Sequence, residues 1–277
     1  MKTFFLLLVA FFIMTQSVVF AADAAHLNAV RLTGELTQGS MITALAAPGA
    51  KASLNGKTLN VSADGQFVFG FGRDAELKHE LLVINPDGTK QTRQITLEKR
   101  QYNIQRIEGI SKKIMNPKKA DVERSKQDNR DIGKARKNNS KHLYFLQSFI
   151  WPATGPITGV YGSQRFYNGQ ARRPHYGLDI AGPKGADVVA PADGVITLTK
   201  DMFYSGNTIL LDHGYGVSST FIHLDSITVE LGQSVKQGDK IGTIGATGRV
   251  TGPHLDWRIN WFSTRLDPHL LVKDKKQ

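Results

Sequence analysis

The chain has 277 residues, of which 40% are hydrophobic, and it carries a formal net charge of +11 from 35 basic and 24 acidic residues. This length suffices for two domains with their own cores, and the composition excludes a fibrous or wholly disordered protein. The sequence contains no cysteine, which excludes disulfide bonds, thiolate metal sites and cysteine nucleophiles. Metal ligands, if there are any, must therefore be His, Asp or Glu.

Residues 1–22 have the pattern of a cleaved export signal. Lys2 precedes an apolar run from Phe4 to Met14, and the small residues that end at Ala21 resemble a signal peptidase site. An uncleaved membrane anchor is the alternative, but the run is short and Thr15 interrupts it. No later segment is apolar enough to span a membrane. We predict an exported protein of the periplasm or cell envelope, with no stable transmembrane segment after cleavage.

Residues 23–97 alternate short β-prone segments with turn signals. The segments at Gln66–Phe69 and Glu80–Ile84 are rich in apolar and β-favouring residues, and Asn55-Gly56 and Asp64-Gly65 are typical of tight turns. This spacing predicts a small β-sandwich. The region has no cluster of His or acidic residues at ligand spacing, so we expect it to contribute binding or positioning and no chemistry.

Residues 98–143 form a basic connector. Between Glu98 and Lys141 there are 14 basic and six acidic residues, with few residues able to form a core. The pattern predicts a helix from about Pro117 to Lys137. Two interpretations stay open: a solvated linker helix, or a patch that binds acidic envelope polymers or anionic lipid. Nucleic acid is not an expected partner, because the chain is exported.

Residues 144–277 read as a second β-rich domain. Short strand-like segments such as Asn207–Asp212 and Val217–His223 are separated by glycines, and Asn168-Gly169 predicts a hairpin turn. The spacing leaves little room for helices. The expected fold is mainly β, with a folded-over antiparallel sheet in this C-terminal domain.

Two stretches of this domain carry metal-ligand residue types. In the first, extended chain would place His175 and Asp179 on one face; in the second, His254, Asp256 and Arg258 alternate with apolar residues. A His-x-x-x-Asp pair alone is more often a hydrogen-bonded core histidine beside an acid than a metal site. The hypothesis gains weight because a further histidine, His223, ends a predicted strand in the same domain.

The ordered motifs of this region resemble a known family. They are listed here in chain order: Gly159-Val-Tyr-Gly-Ser-Gln-Arg, Pro174-His-Tyr-Gly-Leu-Asp-Ile-Ala, Val189-Ala-Pro-Ala-Asp-Gly-Val-Ile, Asp212-His-Gly-Tyr-Gly, Phe221-Ile-His-Leu, Gly232-Gln-Ser-Val-Lys-Gln-Gly-Asp-Lys-Ile-Gly and Gly245-Ala-Thr-Gly-Arg-Val-Thr-Gly-Pro-His-Leu. From about Trp151 to Pro268 the chain is similar to the LytM/lysostaphin-type zinc endopeptidases, peptidase family M23. The resemblance implies a β-sheet groove with one Zn²⁺ ion at its floor and cleavage of peptide bonds in peptidoglycan.

By position, the resemblance implies that His175 and Asp179 are zinc ligands and that His223 and His254 are catalytic. The third ligand position holds Asp256, where the family usually has histidine. Zinc accepts carboxylate oxygen as well as imidazole nitrogen, so Asp256 is a plausible ligand. Two carboxylates would neutralise Zn²⁺ formally and weaken its polarisation of water or a carbonyl. Arg258 is expected either in a rim salt bridge or beside substrate charge.

The resemblance implies a zinc-dependent endopeptidase that hydrolyses peptide bonds in peptidoglycan stem peptides or cross-links. The main alternative is a catalytically silent LytM-like domain that binds peptidoglycan or activates a cell-wall amidase, and the departure at Asp256 motivates it. A lipoyl- or biotinyl-type carrier domain is a third interpretation, suggested by the segment Gly232–Gly242. This segment lacks the lysine-bearing hairpin tip of such carriers.

Overall fold

The structure is a computed structural model, and it describes residues 30–108 and 119–272. The predicted export signal lies outside the described residues, as does the segment 109–118 of the connector. The architecture is mainly β, and its large sheet is antiparallel throughout, as the sequence predicts. Within the described ranges, no helix has the length and apolar content needed to cross a membrane.

The N-terminal part folds into two small antiparallel sheets around one core. Its strands are β1 (Arg31–Thr33), β2 (Met41–Leu45), β3 (Lys51–Leu54), β4 (Lys57–Thr58), β5 (Gln66–Gly70), β6 (Lys78–Ile84) and β7 (Lys90–Thr96). The sheet orders are β1-β2-β5 and β4-β3-β6-β7. Asn55 and Gly56 both have positive φ, 49° and 75°, as a two-residue hairpin turn of type I′ requires. Alternate apolar residues such as Phe67, Phe69 and Leu81 are fully buried between the sheets.

The connector contains β8 (Ile104–Ile107) and helix α1 (Lys119–Ala135). The helix lies within the stretch where the sequence predicts one, and Asp121 in its first turn and Lys134 in its last complement the helix dipole. The helix is docked on the C-terminal sheet and is not a free linker. Its Ile132 and Ala135 pack against a small apolar cluster of that sheet, which consists of Leu198, Met202 and Leu210.

The C-terminal part holds the large sheet. The strands of the C-terminal part are β9 (Ile157–Gly159), β10 (Gln164–Tyr167), β11 (Gln170–Ala171), β12 (Leu178–Ala181), β13 (Asp187–Val189), β14 (Gly194–Met202), β15 (Gly206–Gly214), β16 (Val217–Ile227), β17 (Ser234–Val235), β18 (Lys240–Ile244), β19 (His254–Trp261) and β20 (Thr264–Leu266). Of these, β10 and β11 form a separate small sheet with β8, and the others belong to the large sheet. Short 3₁₀ turns occupy Tyr144–Leu146 and Pro268–Leu271. The main path of the sheet is β17-β14-β15-β16-β19-β12-β9.

Strand β16 makes the sheet fold over. It pairs with β15 and β19 through its first half, whereas its end, from Leu224 to Ile227, pairs with β18. The chain therefore leaves one layer and enters another close to His223, which has a positive φ of 66°. Such a backbone conformation is uncommon for a non-glycine residue and is often found at functional sites.

Strand β8 gives the connector a second attachment. It pairs in parallel with β10, with Ile104 opposite Gln164 and Ile107 opposite Tyr167. The sequence analysis predicts no strand here, because the segment is polar and its partner lies about 60 residues away. The domain boundaries at 97 and 143 stay predictions.

Candidate metal centre and active site

Three adjacent strands bring the acidic residues together. In the ladder between β12 and β19, Asp179 is directly opposite Asp256, and in the ladder between β19 and β16, Asp256 is opposite Ile222. Residues directly opposite each other in neighbouring strands project to the same face of a sheet. The predicted alternation along β19 is also present, since Leu255, Trp257 and Ile259 are fully buried on the other face.

His175 reaches this face from outside the sheet. His175 and Asp179 come together as the sequence predicts, but β12 begins only at Leu178, so His175 lies in the segment before the strand. The preceding segment is held by backbone hydrogen bonds instead: the His175 N–H donates to the Ser163 carbonyl, and the His175 carbonyl accepts from the Gly162 N–H, each at 2.8 Å. These bonds orient the imidazole toward Asp179.

His175, Asp179 and Asp256 form a cluster with the composition of a metal site. One ligating atom of each lies within 4.8 Å of those of the other two. His175 Nε2 and Asp179 Oδ1 are 3.2 Å apart, yet among residues 30–108 and 119–272 neither buried atom has a partner in hydrogen-bond geometry. Buried polar atoms are normally hydrogen-bonded, so such a pair indicates a missing ligand. Ligands about 2.1 Å from a tetrahedral zinc are roughly 3.4 Å apart, so the cluster fits a metal ion.

The same cluster changes the pKa of His175. Burial disfavours the charged imidazole, but the neighbouring carboxylates of Asp179 and Asp256 outweigh it and raise the pKa. Two close carboxylates thus create a local excess of negative charge. A bound cation would relieve that excess.

Two glycines make room for the carboxylates. A Cβ atom on Gly177 would lie 2.0 Å from Asp256 Oδ1, and one on Gly159 would lie 2.1 Å from Asp179 Oδ2. Neither contact can be tolerated, so any larger residue would displace a carboxylate of the cluster. Both glycines occur in the motifs of this region, but the sequence alone gives no reason to assign them this role. Their positions near the candidate ligands were the only sequence feature that could have indicated it.

Arg258 pairs with Asp256 within the site. Its Nε donates to both carboxylate oxygens, at 2.9 and 3.1 Å, and its Nη2 lies 2.5 Å from Oδ2. Burial would raise the pKa of Asp256, but the adjacent guanidinium holds it well below its usual range. The Asp256 side chain is only 3% exposed. The expected salt bridge of Arg258 is therefore present, but its partner is the buried third candidate ligand and not a residue of the rim.

The two candidate catalytic histidines face each other. Their ring centroids are 5.0 Å apart. The Nδ1 of His223 lies 2.9 Å from the Thr247 carbonyl, and the Nδ1 of His254 lies 2.9 Å from the Gly252 carbonyl. Since a carbonyl only accepts, each Nδ1 carries the proton and each Nε2 is left free to accept one. The Nε2 of His254 is 3.9 Å from Asp179 Oδ1, and burial lowers the pKa of His223.

His213 does not belong to this site. It is fully buried inside β15. Its ring contacts the Asp193 carbonyl at 2.7 Å and Ser219 Oγ at 2.8 Å. Burial lowers its pKa to about 4, so it is neutral at physiological pH. It links three segments of the core.

Several known proteins are similar in sequence to this domain. Peptidoglycan DD-endopeptidase ShyA of Vibrio cholerae is 43% identical over 86 residues, or 31% of this chain and 20% of its own length. Peptidoglycan DD-endopeptidase ShyB of the same organism is 43% identical over 125 residues, or 45% of this chain and 29% of its own. The chain therefore spans less than a third of the length of these curated relatives.

Structural comparison extends the similarity beyond this domain. A Pseudomonas aeruginosa protein, described as a candidate M23 peptidase, superposes with a TM-score of 0.67 at 26% identity. The superposition covers 86% of this chain and 95% of that one. Residues 173–268 match the model of peptidase family M23. The chain thus contains a domain of peptidase family M23.

Proposed function

We propose that the protein is a zinc-dependent endopeptidase that hydrolyses peptide bonds in peptidoglycan stem peptides or cross-links. The observation that carries the proposal is the cluster of His175, Asp179 and Asp256, two of whose buried atoms lack partners, beside two histidines with free Nε2 atoms. The names of ShyA and ShyB supply the substrate class. Peptidoglycan as substrate implies an exported protein of the periplasm or cell envelope.

His175, Asp179 and Asp256 would hold one zinc ion. Zinc supplies Lewis-acid chemistry, which activates water and polarises a carbonyl. The ion pair with Arg258 changes the charge balance that the ligands alone imply. Two carboxylates neutralise Zn²⁺ formally, whereas the guanidinium returns one positive charge to the site. Arg258 thereby offsets the second carboxylate, and the departure at Asp256 is compatible with activity.

The histidines would move the protons. His223 has a lowered pKa and is neutral at pH 7, and its Nε2 is free, so it is suited to accept a proton from water. His254 is held by the Gly252 carbonyl with its Nε2 toward Asp179, where it can donate a hydrogen bond to developing negative charge once protonated. Fixed Nδ1 contacts keep both rings oriented throughout the reaction.

The second candidate is a catalytically silent domain that binds peptidoglycan or activates a wall amidase. The bidentate contact between Arg258 and Asp256 favours it, because that contact already occupies both oxygens of the third candidate ligand. A carboxylate has about four lone-pair directions, however, so a guanidinium does not by itself exclude a metal.

The test uses the chain from residue 23 onward, loaded with zinc. Metal content and peptidoglycan digestion are measured for the wild type and for His175→Ala and His254→Ala. We expect one zinc per chain in the wild type, loss of zinc in His175→Ala, and retained zinc without digestion in His254→Ala.

Two other results would decide for the silent domain. One is a wild type that binds no zinc and digests nothing, while Asp256→His gains both properties. The other is a wild type that holds zinc and sediments with peptidoglycan but releases no peptides. Digestion that survives in His175→Ala and His254→Ala would exclude the proposed site altogether.

A further inference from the structure

A cavity of about 290 Å³ adjoins the candidate active site. Helix α1 forms one wall, and β16 and β19 contribute the facing wall through Thr220, His223 and Arg258. Ligand pockets typically start at roughly this volume, which holds about ten waters. The cavity is thus large enough for one end of a peptide, and it opens beside the catalytic candidate His223.

The side chains that line the cavity are strongly unbalanced in charge. The lining includes five arginines but one carboxylate, and the arginines are Arg136, Arg173, Arg249, Arg258 and Arg265. The carboxylate, Asp128, accepts a hydrogen bond from the Phe203 N–H at 2.9 Å and lies 3.4 Å from Lys200. Only Arg258 of the five has a carboxylate partner within residues 30–108 and 119–272. Four guanidiniums therefore line the cavity without a carboxylate partner in the described part of the chain; Arg136 and Arg265 are half-buried, whereas Arg173 and Arg249 are exposed.

The unpaired arginines are held by neutral contacts. Arg136 donates from Nη2 to Thr220 Oγ1 at 3.2 Å, while its buried Nε has no hydrogen-bond partner among the residues that the structure describes. Arg265 donates to Asn260 Oδ1 at 3.2 Å, and Arg249 stacks over the Tyr204 ring at 4.4 Å. These contacts fix the positions of the guanidiniums without neutralising them.

The cost of this arrangement appears in the pKa values of two of the arginines. Burial, together with the nearby guanidiniums, lowers the pKa of Arg136 to about 8 and that of Arg265 to about 9. Burying like charges without a counterion opposes folding, because both desolvation and mutual repulsion are unfavourable. A cluster that persists despite this cost is suited to an anionic ligand that binds it.

The position of the cavity limits what that ligand can be. His223 lines it, and Arg258 connects it to Asp256 of the candidate metal cluster. An anion bound here would therefore lie beside the candidate catalytic and metal-binding residues. Guanidiniums recognise carboxylates through paired hydrogen bonds, and the peptides of peptidoglycan carry free carboxyl groups.

We propose that the arginine cavity is the subsite for a carboxylate of the peptide substrate, next to the bond that is cleaved. This inference rests on the proposed function, because it assumes that the neighbouring site binds a peptide. It assigns a role in substrate selection to Arg136, the residue that directly follows helix α1. It also gives one basic residue of the connector, Arg136, a specific function beyond general attraction to an anionic envelope.

The test measures binding separately from cleavage. His254→Ala, which does not alter the cavity lining, is titrated calorimetrically with a soluble stem peptide with free carboxyl groups and with the same peptide fully amidated. We expect the free acid to bind at least ~10-fold more tightly, as a charge-assisted hydrogen-bonded pair implies. Adding Arg136→Gln should remove most of that difference and leave the affinity for the amide unchanged.

The matched control is Arg130→Gln, which alters an exposed arginine within helix α1, six residues before Arg136, whose side chain contacts Gln127. It should leave both affinities unchanged. Because Arg136→Gln removes an unpaired buried charge, its urea midpoint should equal or exceed that of its parent, which separates lost binding from misfolding.

Three outcomes would overturn the subsite. They are equal affinity for acid and amide, equal losses for both peptides in Arg136→Gln, and tight binding of inorganic phosphate without discrimination between the peptides. The last would identify a general anion site. Failure of the proposed endopeptidase activity would appear only in the digestion assay, since the binding assay needs no turnover.

Discussion

At the scale of single residues, the Asp256 carboxylate takes part in two interactions: it forms an ion pair with Arg258, and it belongs to the candidate metal cluster. Both oxygens contact the Arg258 guanidinium, and the same group lies in the cluster with His175 and Asp179. The geometry makes Asp256 and Arg258 a unit: each compensates for the burial of the other. A substitution of either residue must be judged together with its partner.

We predict that Asp256→His destabilises the protein by about 3–5 kcal/mol, because Arg258 would be left inside the site without its carboxylate. The double variant with Arg258→Met should recover most of that loss, since it removes the unpaired charge while keeping the aliphatic volume. Urea unfolding at pH 7 measures both. Equal instability of the single and double variants would show that the pair makes no net contribution.

At the scale of elements, the site depends on how closely the segment before β12 approaches β19. Gly177 lies against Asp256 Oδ1 and against the Cγ of Arg258, with distances of 2.0 and 2.8 Å from a Cβ built on the glycine. The Gly177 position is therefore a constraint on the cluster that no electrostatic argument would reveal. The backbone itself sets where the third carboxylate can lie.

Gly177→Ala should lower zinc affinity by roughly 10–100-fold, the range found when the surroundings of metal ligands are disturbed. The displaced Asp256 carboxylate is the cause. Competition with a zinc chelator measures the affinity. The control is Gly252→Ala, because a Cβ there meets nothing within 4 Å. Unchanged affinity in Gly177→Ala would exclude Asp256 as a ligand.

The strands and turns also show which structural features could be predicted from the sequence and which could not. Alternation along His254–Ile259 and the Asn-Gly turns are local properties, so strands and hairpins were predictable. The pairing of Arg258 with Asp256 was not, because residues two apart on one strand face can contact each other or a third group. The parallel pairing of β8 and the arginine cavity combine residues far apart in sequence, which no local pattern specifies.

At the scale of the whole molecule, the core of the C-terminal part holds an ionisable group that it keeps neutral. His213 is fully buried between Asp193 and Ser219, and its pKa is lowered to about 4 from the ordinary 6.5. An unfolded chain binds a proton there at higher pH than the folded one. Acid therefore favours the unfolded state.

We predict that the free energy of unfolding falls by up to about 3 kcal/mol through His213 as the pH drops from 6.5 to 4. The contribution is fully present above pH 6.5, because the folded-state pKa is the lower one. Urea unfolding at several pH values measures it, and His213→Gln should flatten the slope in this window. An identical slope in wild type and variant would contradict the assignment.

Helix α1 lies outside residues 173–268, the segment that matches the family, yet it is tied to the large sheet through Asp128, Asp131 and Ile132. If the cavity selects substrate, a gene segment that codes for 173–268 alone would contain the candidate metal ligands but not Arg136. The chemistry and one part of the selectivity would then be inherited in separable pieces of one gene. Recombination upstream of the peptidase domain would be enough to retarget it.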